Sequence, residues 1–422
     1  MNVALIRYPA ALLLPAAAGG LAALALAAPS PHMAAALGCL TILGGLTVWP
    51  WAALPVAVIG GSAASTALAV EGVSSVVAVH MSLLALGFLG LGLRRAVDPS
   101  WRRVPTPADV PMLVLAAGVA LGAAYGVGAG NAAHDVTVAS YQIGVIPLYF
   151  LLATLTLSSR QRLHAAGVLF VAGAAILALT EIATPGRHGG LLSTLALFPT
   201  VAAASSARGG RRWMLLAVAA VLGLDVLLSA YRAIWLATAV AVIVLLAQRA
   251  SRMRSTLVVS LACVVAVASL ALELNTALGA RAEVVGAAFE ESSGYRLPEA
   301  RIGLEAFLAQ PIAGGGLGQV AEDVSVDTFG VTDVGPVYHA FYVTLLANGG
   351  LVALALLMWP LLRAFRHAGR SRSVQVHAAS ALLAGFVIAA AFAAPTDGHW
   401  ELGLLPAVAL IAVRLEAGGS GP

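Results

Sequence analysis

Uninterrupted apolar stretches of about 17 to 22 residues, separated by short polar loops, run along almost the whole chain. The 422 residues are 60% hydrophobic and only 10% charged, which is too little polar surface to cover a water-soluble domain. In a bilayer every backbone N–H and C=O group needs an internal partner, so a spanning chain is helical or a closed barrel. The stretches lack the alternation of barrel strands. The sequence therefore predicts an all-α integral membrane protein.

The predicted number of membrane-spanning helices is about 14, with 12 as the alternative. The stretches lie near residues 8–28, 33–49, 51–70, 75–93, 108–128, 139–158, 163–180, 189–206, 212–229, 232–248, 255–273, 338–360, 375–394 and 400–414. A single long hydrophilic segment interrupts them. We therefore divide the chain into N-terminal spans (1–211), core spans (212–273), a large loop (274–337) and C-terminal spans with a short tail (338–422).

All 23 basic Lys and Arg residues are arginines, so a phosphate-binding loop with its lysine and a Schiff-base enzyme are both excluded. The net charge of +4 is spread over many loops, so the sequence shows no basic patch of the kind that binds nucleic acid. Cytoplasmic loops attract arginine, and 18 of the arginines fall at the termini and on alternate loops. This pattern predicts cytoplasmic termini and an outer large loop. Five arginines are left on the outer side: Arg187, Arg232, Arg281, Arg296 and Arg301.

The large loop contains one predicted amphipathic helix, Glu299 to Ala309, which begins after Pro298 and ends before Pro311. Arg301 and Glu305 lie one turn apart on this helix, which favours a surface ion pair over catalysis. Four residues are predicted to form its apolar face: Ala300, Leu304, Phe307 and Leu308.

The glycine run Gly314-Gly315-Gly316-Leu317-Gly318 follows this helix. One interpretation is a flexible turn. The other is an anion cradle, because the backbone N–H groups of glycine can approach a phosphate closely.

Asp225 lies inside an apolar stretch, where a carboxylate is costly and is usually paired or functional. It precedes Arg232 by seven residues, and we expect a turn between them. Asp225 is predicted either to position Arg232 or to line a polar cavity.

Outer-side motifs occur in a fixed order along residues 229 to 351. They are Arg232-Ala233-Ile234-Trp235-Leu236, Ser293-Gly294-Tyr295-Arg296, Gln310-Pro311 through Gly318, His339-Ala340-Phe341-Tyr342-Val343 and Asn348-Gly349-Gly350. In this order they resemble the O-antigen ligase and polymerase family. Its members carry an Arg-x-x-Trp-Leu helix start before a large periplasmic loop, and the next span begins with His-Asn. In that family the loop also carries a His-Pro motif before its glycines. The chain departs from the pattern with Gln310 in place of that His and Ala340 in place of Asn.

The resemblance implies a GT-C-like glycosyltransferase of the bacterial inner membrane that acts in cell-envelope polysaccharide or lipopolysaccharide biogenesis. It would move a glycan from an undecaprenyl (polyprenyl) pyrophosphate carrier to an acceptor hydroxyl on the outer face. Arg232 and Arg296 are expected to bind the pyrophosphate, since guanidinium groups bind phosphate oxygens through paired N–H bonds. His339 is expected to act as a general base or a phosphate binder, because an unperturbed histidine has a pKa near 6.5. Further substrate-binding candidates are Arg187, Arg301, Gly314, Gly315, Gly316, Tyr342 and Asp225.

No Asp-x-Asp motif occurs, and the acidic pairs Glu290-Glu291 and Glu322-Asp323 have the character of solvated loop residues. We therefore expect a metal-independent reaction without a cofactor. The expected partners are the lipid-linked glycan donor, a glycan or lipid-anchored acceptor, and membrane lipids. Three alternatives remain: a polymerase of the same family, a transporter or flippase of a lipid-linked anion, and a non-catalytic scaffold.

Overall fold

The computed structural model describes residues 31–68, 73–99, 101–183, 190–229, 231–247, 256, 296–320, 338–371, 373–393 and 398–418. Within these residues all regular structure is helical, which confirms the predicted class. The helices are α1 (Pro31–Val48), α2 (Ala53–Leu68), α3 (Val73–Val97), α4 (Asp109–Gly128), α5 (Ala133–Thr156), α6 (Arg160–Ala183), α7 (Leu191–Ser206), α8 (Gly209–Leu228), α9 (Arg232–Ala247), α10 (Arg296–Ala309), α11 (Phe341–Ala368), α12 (Val374–Ala389) and α13 (Glu401–Gly418).

Among the residues that the structure describes, five helices are long and apolar enough to cross a membrane by length and composition: α3, α4, α5, α6 and α11. The segments Gly38–Val48 and Pro50–Ala63 meet at a bend of 119° and count as a sixth if they form one broken span. Helices α7, α9 and α12 have 16 residues each, about 24 Å of helix against a hydrocarbon core of about 30 Å. The described residues therefore confirm a helical multi-pass membrane protein but not the expected count of about 14 spans. The expected spans 8–28 and 255–273 and most of the large loop fall outside them.

Small residues let the helices pack closely. A Cβ atom added at Gly385 of α12 would lie 2.2 Å from the carbonyl oxygen of Ala237 in α9. One added at Gly403 of α13 would lie 1.9 Å from the carbonyl oxygen of Ile146 in α5. Such backbone contact is typical of membrane helices, whose association depends on van der Waals packing.

Several arginine-bearing loops lie together at one end of the helix bundle, which we call the arginine-rich end. The guanidinium of Arg162 lies 3.5 Å from the centre of the Trp101 ring, whose indole N–H donates to the carbonyl oxygen of Leu155 at 2.8 Å. Arg160 donates to the carbonyl oxygen of Leu415 near the end of α13 at 3.0 Å. Connections predicted to share the cytoplasmic side thus lie together. The side of the membrane they face stays a prediction.

Candidate functional site

The carboxylate of Glu299 binds His339 twice. Glu299 Oε1 accepts the backbone N–H of His339 at 3.1 Å, and Glu299 Oε2 lies 2.8 Å from His339 Nδ1. The Glu299 side chain is 12% exposed and the His339 side chain 47% exposed. Because an ionised carboxylate only accepts hydrogen bonds, this contact favours a proton on Nδ1, which leaves Nε2 as the basic atom of a neutral imidazole.

The residues around Tyr338 hold His339 at the start of α11. Thr344 Oγ1 accepts the Tyr338 N–H at 2.9 Å and donates to the Tyr338 carbonyl oxygen at 3.1 Å. Tyr338 is buried against α10, and a Cβ added at Gly303 would lie 3.0 Å from its ring. Burial, and then the charge of Glu299, raises the pKa of the Tyr338 phenol. This phenol therefore stays protonated at neutral pH.

Helix α10 brings Arg296 into the same region. The helix begins at Arg296, one turn before Glu299, so the Arg296 backbone lies next to the Glu299–His339 pair. Arg301 lies elsewhere on the helix, where its side chain is 81% exposed and Arg301 Nε is 3.0 Å from Glu305 Oε1. This is the surface ion pair that the sequence predicts. Substrate binding by Arg301 stays a prediction.

The glycine run uses its N–H groups within the protein. Gly314 donates to the carbonyl oxygen of Gln310 at 2.9 Å, and Gly315 donates to that of Ala347 at 3.0 Å. The Gly318 N–H donates to Asn348 Oδ1 at 2.8 Å. The contacts therefore do not support an anion cradle built from these three N–H groups. Substrate contact by Gly314, Gly315 and Gly316 through other atoms stays a prediction.

Backbone conformation and close packing explain why glycines occupy this run. Gly314, Gly316 and Gly318 have positive φ angles of 67°, 85° and 85°, which favour glycine. A Cβ added at Gly126 of α4 would lie 2.1 Å from the carbonyl oxygen of Leu317. The run is thus wedged against α4 and, through Asn348, against α11.

The Asn348-Gly349-Gly350 motif completes this unit. Helix α11 breaks at Gly350, which has φ 62° and ψ −160°. Just beyond the break, the Leu351 N–H donates to the carbonyl oxygen of Pro311 at 2.9 Å. Asn131, after α4, donates to the carbonyl oxygen of Leu317 at 3.0 Å. Motifs that are separate in the sequence therefore form one hydrogen-bonded structure.

Arg232 begins α9, and its side chain is half-buried. The Trp235 indole N–H of the same motif donates to the carbonyl oxygen of Val226 at 2.7 Å, which fixes the connection between α8 and α9. The expected turn between Asp225 and Arg232 is present, since α8 ends at Leu228.

Asp225 is buried, and its Oδ2 accepts the Ser193 hydroxyl of α7 at 2.7 Å. Helix α7 follows Gly190, where an added Cβ would lie 2.7 Å from Ser229 Cβ. Arg187 falls outside the described residues. Positioning of Arg232 by Asp225 stays a prediction.

Helix α12 links the Arg232 and His339 regions. Ala237, in the second turn of α9, packs against Gly385 near the end of α12. The Phe341 N–H donates to the carbonyl oxygen of Ala390 at 3.0 Å, just past that end. The Tyr342 hydroxyl, a predicted substrate-binding group, donates to the carbonyl oxygen of Val387 at 2.6 Å. Both predicted site regions are thus anchored to the C-terminal part of one helix.

The sequence analysis missed two acidic residues at this end of the molecule. The sequence places Glu299 only in the loop helix, because its contact with His339 spans 40 residues of sequence. Glu401 Oε1 lies 2.5 Å from His399 Nδ1, and both side chains are buried. The His399 ring packs at 4.7 Å between centroids against Phe341. A histidine and a glutamate two residues apart at the start of an apolar stretch are the signal that could have revealed this second pair.

A family model described as O-antigen ligase matches residues 215–358. This match confirms the resemblance drawn from the ordered motifs and includes Arg232, Arg296, Glu299 and His339. No curated protein matches the chain. Among the residues that the structure describes, no three His, Cys, Asp or Glu side chains are grouped as a metal ion requires. Metal independence stays a prediction.

Proposed function

We propose that this multi-pass membrane protein, whose residues 215–358 match the O-antigen ligase family, transfers a glycan from a polyprenyl pyrophosphate carrier to an acceptor hydroxyl. The reaction takes place at the outer face of the bacterial inner membrane. Undecaprenyl pyrophosphate is the proposed carrier, and the acceptor is a lipid-anchored sugar or another envelope glycan.

The observation that carries the proposal is the half-exposed His339 held by Glu299 inside the matched region. Glu299 itself lies one helical turn after Arg296. A carboxylate that fixes a histidine at Nδ1 makes Nε2 the proton acceptor, which is the arrangement a general base needs. The alternative role of His339 as a phosphate binder requires a protonated ring.

The proposed chemistry is a single displacement at the sugar carbon. The acceptor oxygen forms a bond to that carbon while the bond from the carbon to the pyrophosphate oxygen breaks. His339 Nε2 takes the acceptor proton. Negative charge grows on the leaving lipid pyrophosphate, and interactions that strengthen with this charge accelerate the reaction.

Arg232 and Arg296 are the proposed binders of that pyrophosphate. Guanidinium groups keep their charge near a membrane and bind phosphate oxygens bidentately. Arg187 and Arg301 are second choices. Loss of one such contact is expected to cost about 3 kcal/mol in transition-state stabilisation, or roughly 10² in rate.

Two other functions remain as alternatives. A polymerase of the same family differs only in its acceptor, which would be a second lipid-linked glycan. A transporter or flippase of a lipid-linked anion would bind the same carrier without transfer, but transport sites usually lie near the bilayer midplane.

The test is glycan transfer by the purified protein from a synthetic polyprenyl-pyrophosphate-linked oligosaccharide to a lipid-anchored sugar acceptor, with EDTA present. We expect transfer by the wild type in EDTA and a loss of about 10² in rate for Arg296→Ala. Equal rates for both would remove the proposed role of Arg296. Elongation of the donor instead of transfer to the acceptor would identify a polymerase. Binding of the donor without any transfer would favour the transporter.

A further inference from the structure

We propose that Glu299 is the positioning residue of His339: it holds the proton on Nδ1, directs Nε2 to the acceptor and couples the loop helix to the reaction. This inference rests on the proposed function for its catalytic meaning. Its structural claim, that Glu299 sets the tautomer of His339, does not depend on it.

The geometry indicates that Glu299 orients the His339 ring and does not merely pack against it. One carboxylate oxygen binds the His339 backbone N–H at 3.1 Å and the other binds ring Nδ1 at 2.8 Å. Two contacts from one rigid carboxylate fix both the position of the residue and the direction of its ring. A side chain that only packed would not need to meet both N–H groups of the same histidine.

Burial of the carboxylate strengthens the effect. Glu299 is 12% exposed whereas His339 is 47% exposed, so the carboxylate lies behind the imidazole and the imidazole faces outward. Charged hydrogen bonds are stronger in such a partly desolvated place than in water. The other acidic residue of α10, Glu305, is 62% exposed and pairs with Arg301 instead.

The contact also joins two parts of the chain. Glu299 lies in the first turn of α10, and this turn begins at Arg296. His339 precedes α11, the next long apolar helix. Any shift of α10 that moves Arg296 therefore also moves the partner of the proposed base. Under the proposed function, a movement of α10 would therefore affect both the proposed phosphate binder and the proposed base.

The first experiment uses no substrate. Protein labelled with ¹⁵N-histidine is studied by NMR in detergent micelles, and the His339 signals are assigned by their loss in His339→Gln. We expect the wild-type ring to carry its proton on Nδ1, and we expect the proton to move to Nε2 in Glu299→Ala. Glu305→Ala, on the same helix, should leave the His339 signals unchanged. An unchanged His339 tautomer in Glu299→Ala would overturn the proposal.

The second experiment measures glycan transfer from the synthetic donor. Glu299→Ala should lower kcat on the order of 10²-fold with little change in the KM for the donor, because ring orientation serves the chemical step. Glu299→Gln keeps one acceptor oxygen and should retain more activity than Glu299→Ala. In a His339→Ala background the Glu299→Ala change should add little, and a full additional loss would contradict action through His339. If the wild type transfers nothing, the proposed function fails, while the NMR result still decides the role of Glu299.

Discussion

At the scale of single residues, the predicted site separates into groups with different surroundings. Arg232 is half-buried at a helix start that Trp235 pins to Val226. Arg301 is 81% exposed and paired with Glu305. Exposed ion pairs contribute little energy because water and salt screen them. Of these two arginines, Arg232 therefore has the surroundings better suited to holding a lipid phosphate in one position.

We expect Arg232→Ala to lower glycan transfer by about 10². Arg232→Lys should lie between it and the wild type, since an ammonium keeps the charge but loses the bidentate geometry. Arg211→Ala, an exposed arginine at the start of α8, is the matched control and should transfer normally. The measurement is kcat/KM for the lipid-linked donor, and normal transfer by Arg232→Ala would exclude a phosphate-binding role.

At the scale of elements, the loop helix and the glycine run are docked through small residues. Two residues of the predicted apolar face of α10, Leu304 and Leu308, are 46% and 65% exposed. Ile302 and Ala306 instead pack against the cluster of Tyr338 and Ala347, and Gly303 leaves room for the Tyr338 ring. The face that packs is decided by the position of its partner and not by side-chain hydrophobicity alone.

We expect Gly126→Ala to displace the glycine run and reduce both stability and transfer. The new Cβ would lie 2.1 Å from the carbonyl oxygen of Leu317, a contact that backbone movement must relieve. Gly128→Ala in the same helix meets nothing within 4 Å and is the control. Thermal unfolding in detergent should show a lower midpoint for Gly126→Ala only. Equal midpoints for the two variants would show that the run is not wedged against α4.

At the scale of the whole molecule, the bundle has two chemically different ends. At the arginine-rich end, contacts of Arg160, Arg162 and Trp101 hold together the loops that carry arginines. Helix α4 leads away from that end, and its far end meets the glycine run beside α11. The bias of cytoplasmic loops toward arginine predicts that His339 and Glu299 face the outer side.

We expect cysteine labelling to report this orientation. Leu308→Cys in α10 and Val97→Cys at the end of α3 introduce thiols at positions that are 65% and 78% exposed. Each is made in a variant whose Cys39 and Cys263 are serine. A membrane-impermeant maleimide should label Leu308→Cys in spheroplasts, and Val97→Cys only after permeabilisation. The opposite pattern would reverse the predicted sidedness and contradict an outer-face reaction.

The sequence alone determined the properties that depend on local composition. Apolar stretches in a chain with 10% charge predict membrane helices, because lipid requires internal backbone hydrogen bonds. The expected helix near 108–128 matches α4, Asp109–Gly128, and the end of α10 before Pro311 was predicted from the proline. Ordered motifs also identified the family that residues 215–358 match.

Only the tertiary structure decided which groups meet. Glu299 and His339 are 40 residues apart, and no local pattern pairs them. From the sequence, the glycine run is compatible with a turn or with an anion cradle. In the structure, the carbonyl oxygen of Ala347 and the side chain of Asn348 accept two of its N–H groups. Hydrogen-bond partners depend on distances of about 3 Å between distant segments. Composition and motif spacing do not determine such distances. The contact between Glu299 and His339, the proposed base, is therefore found only in the tertiary structure.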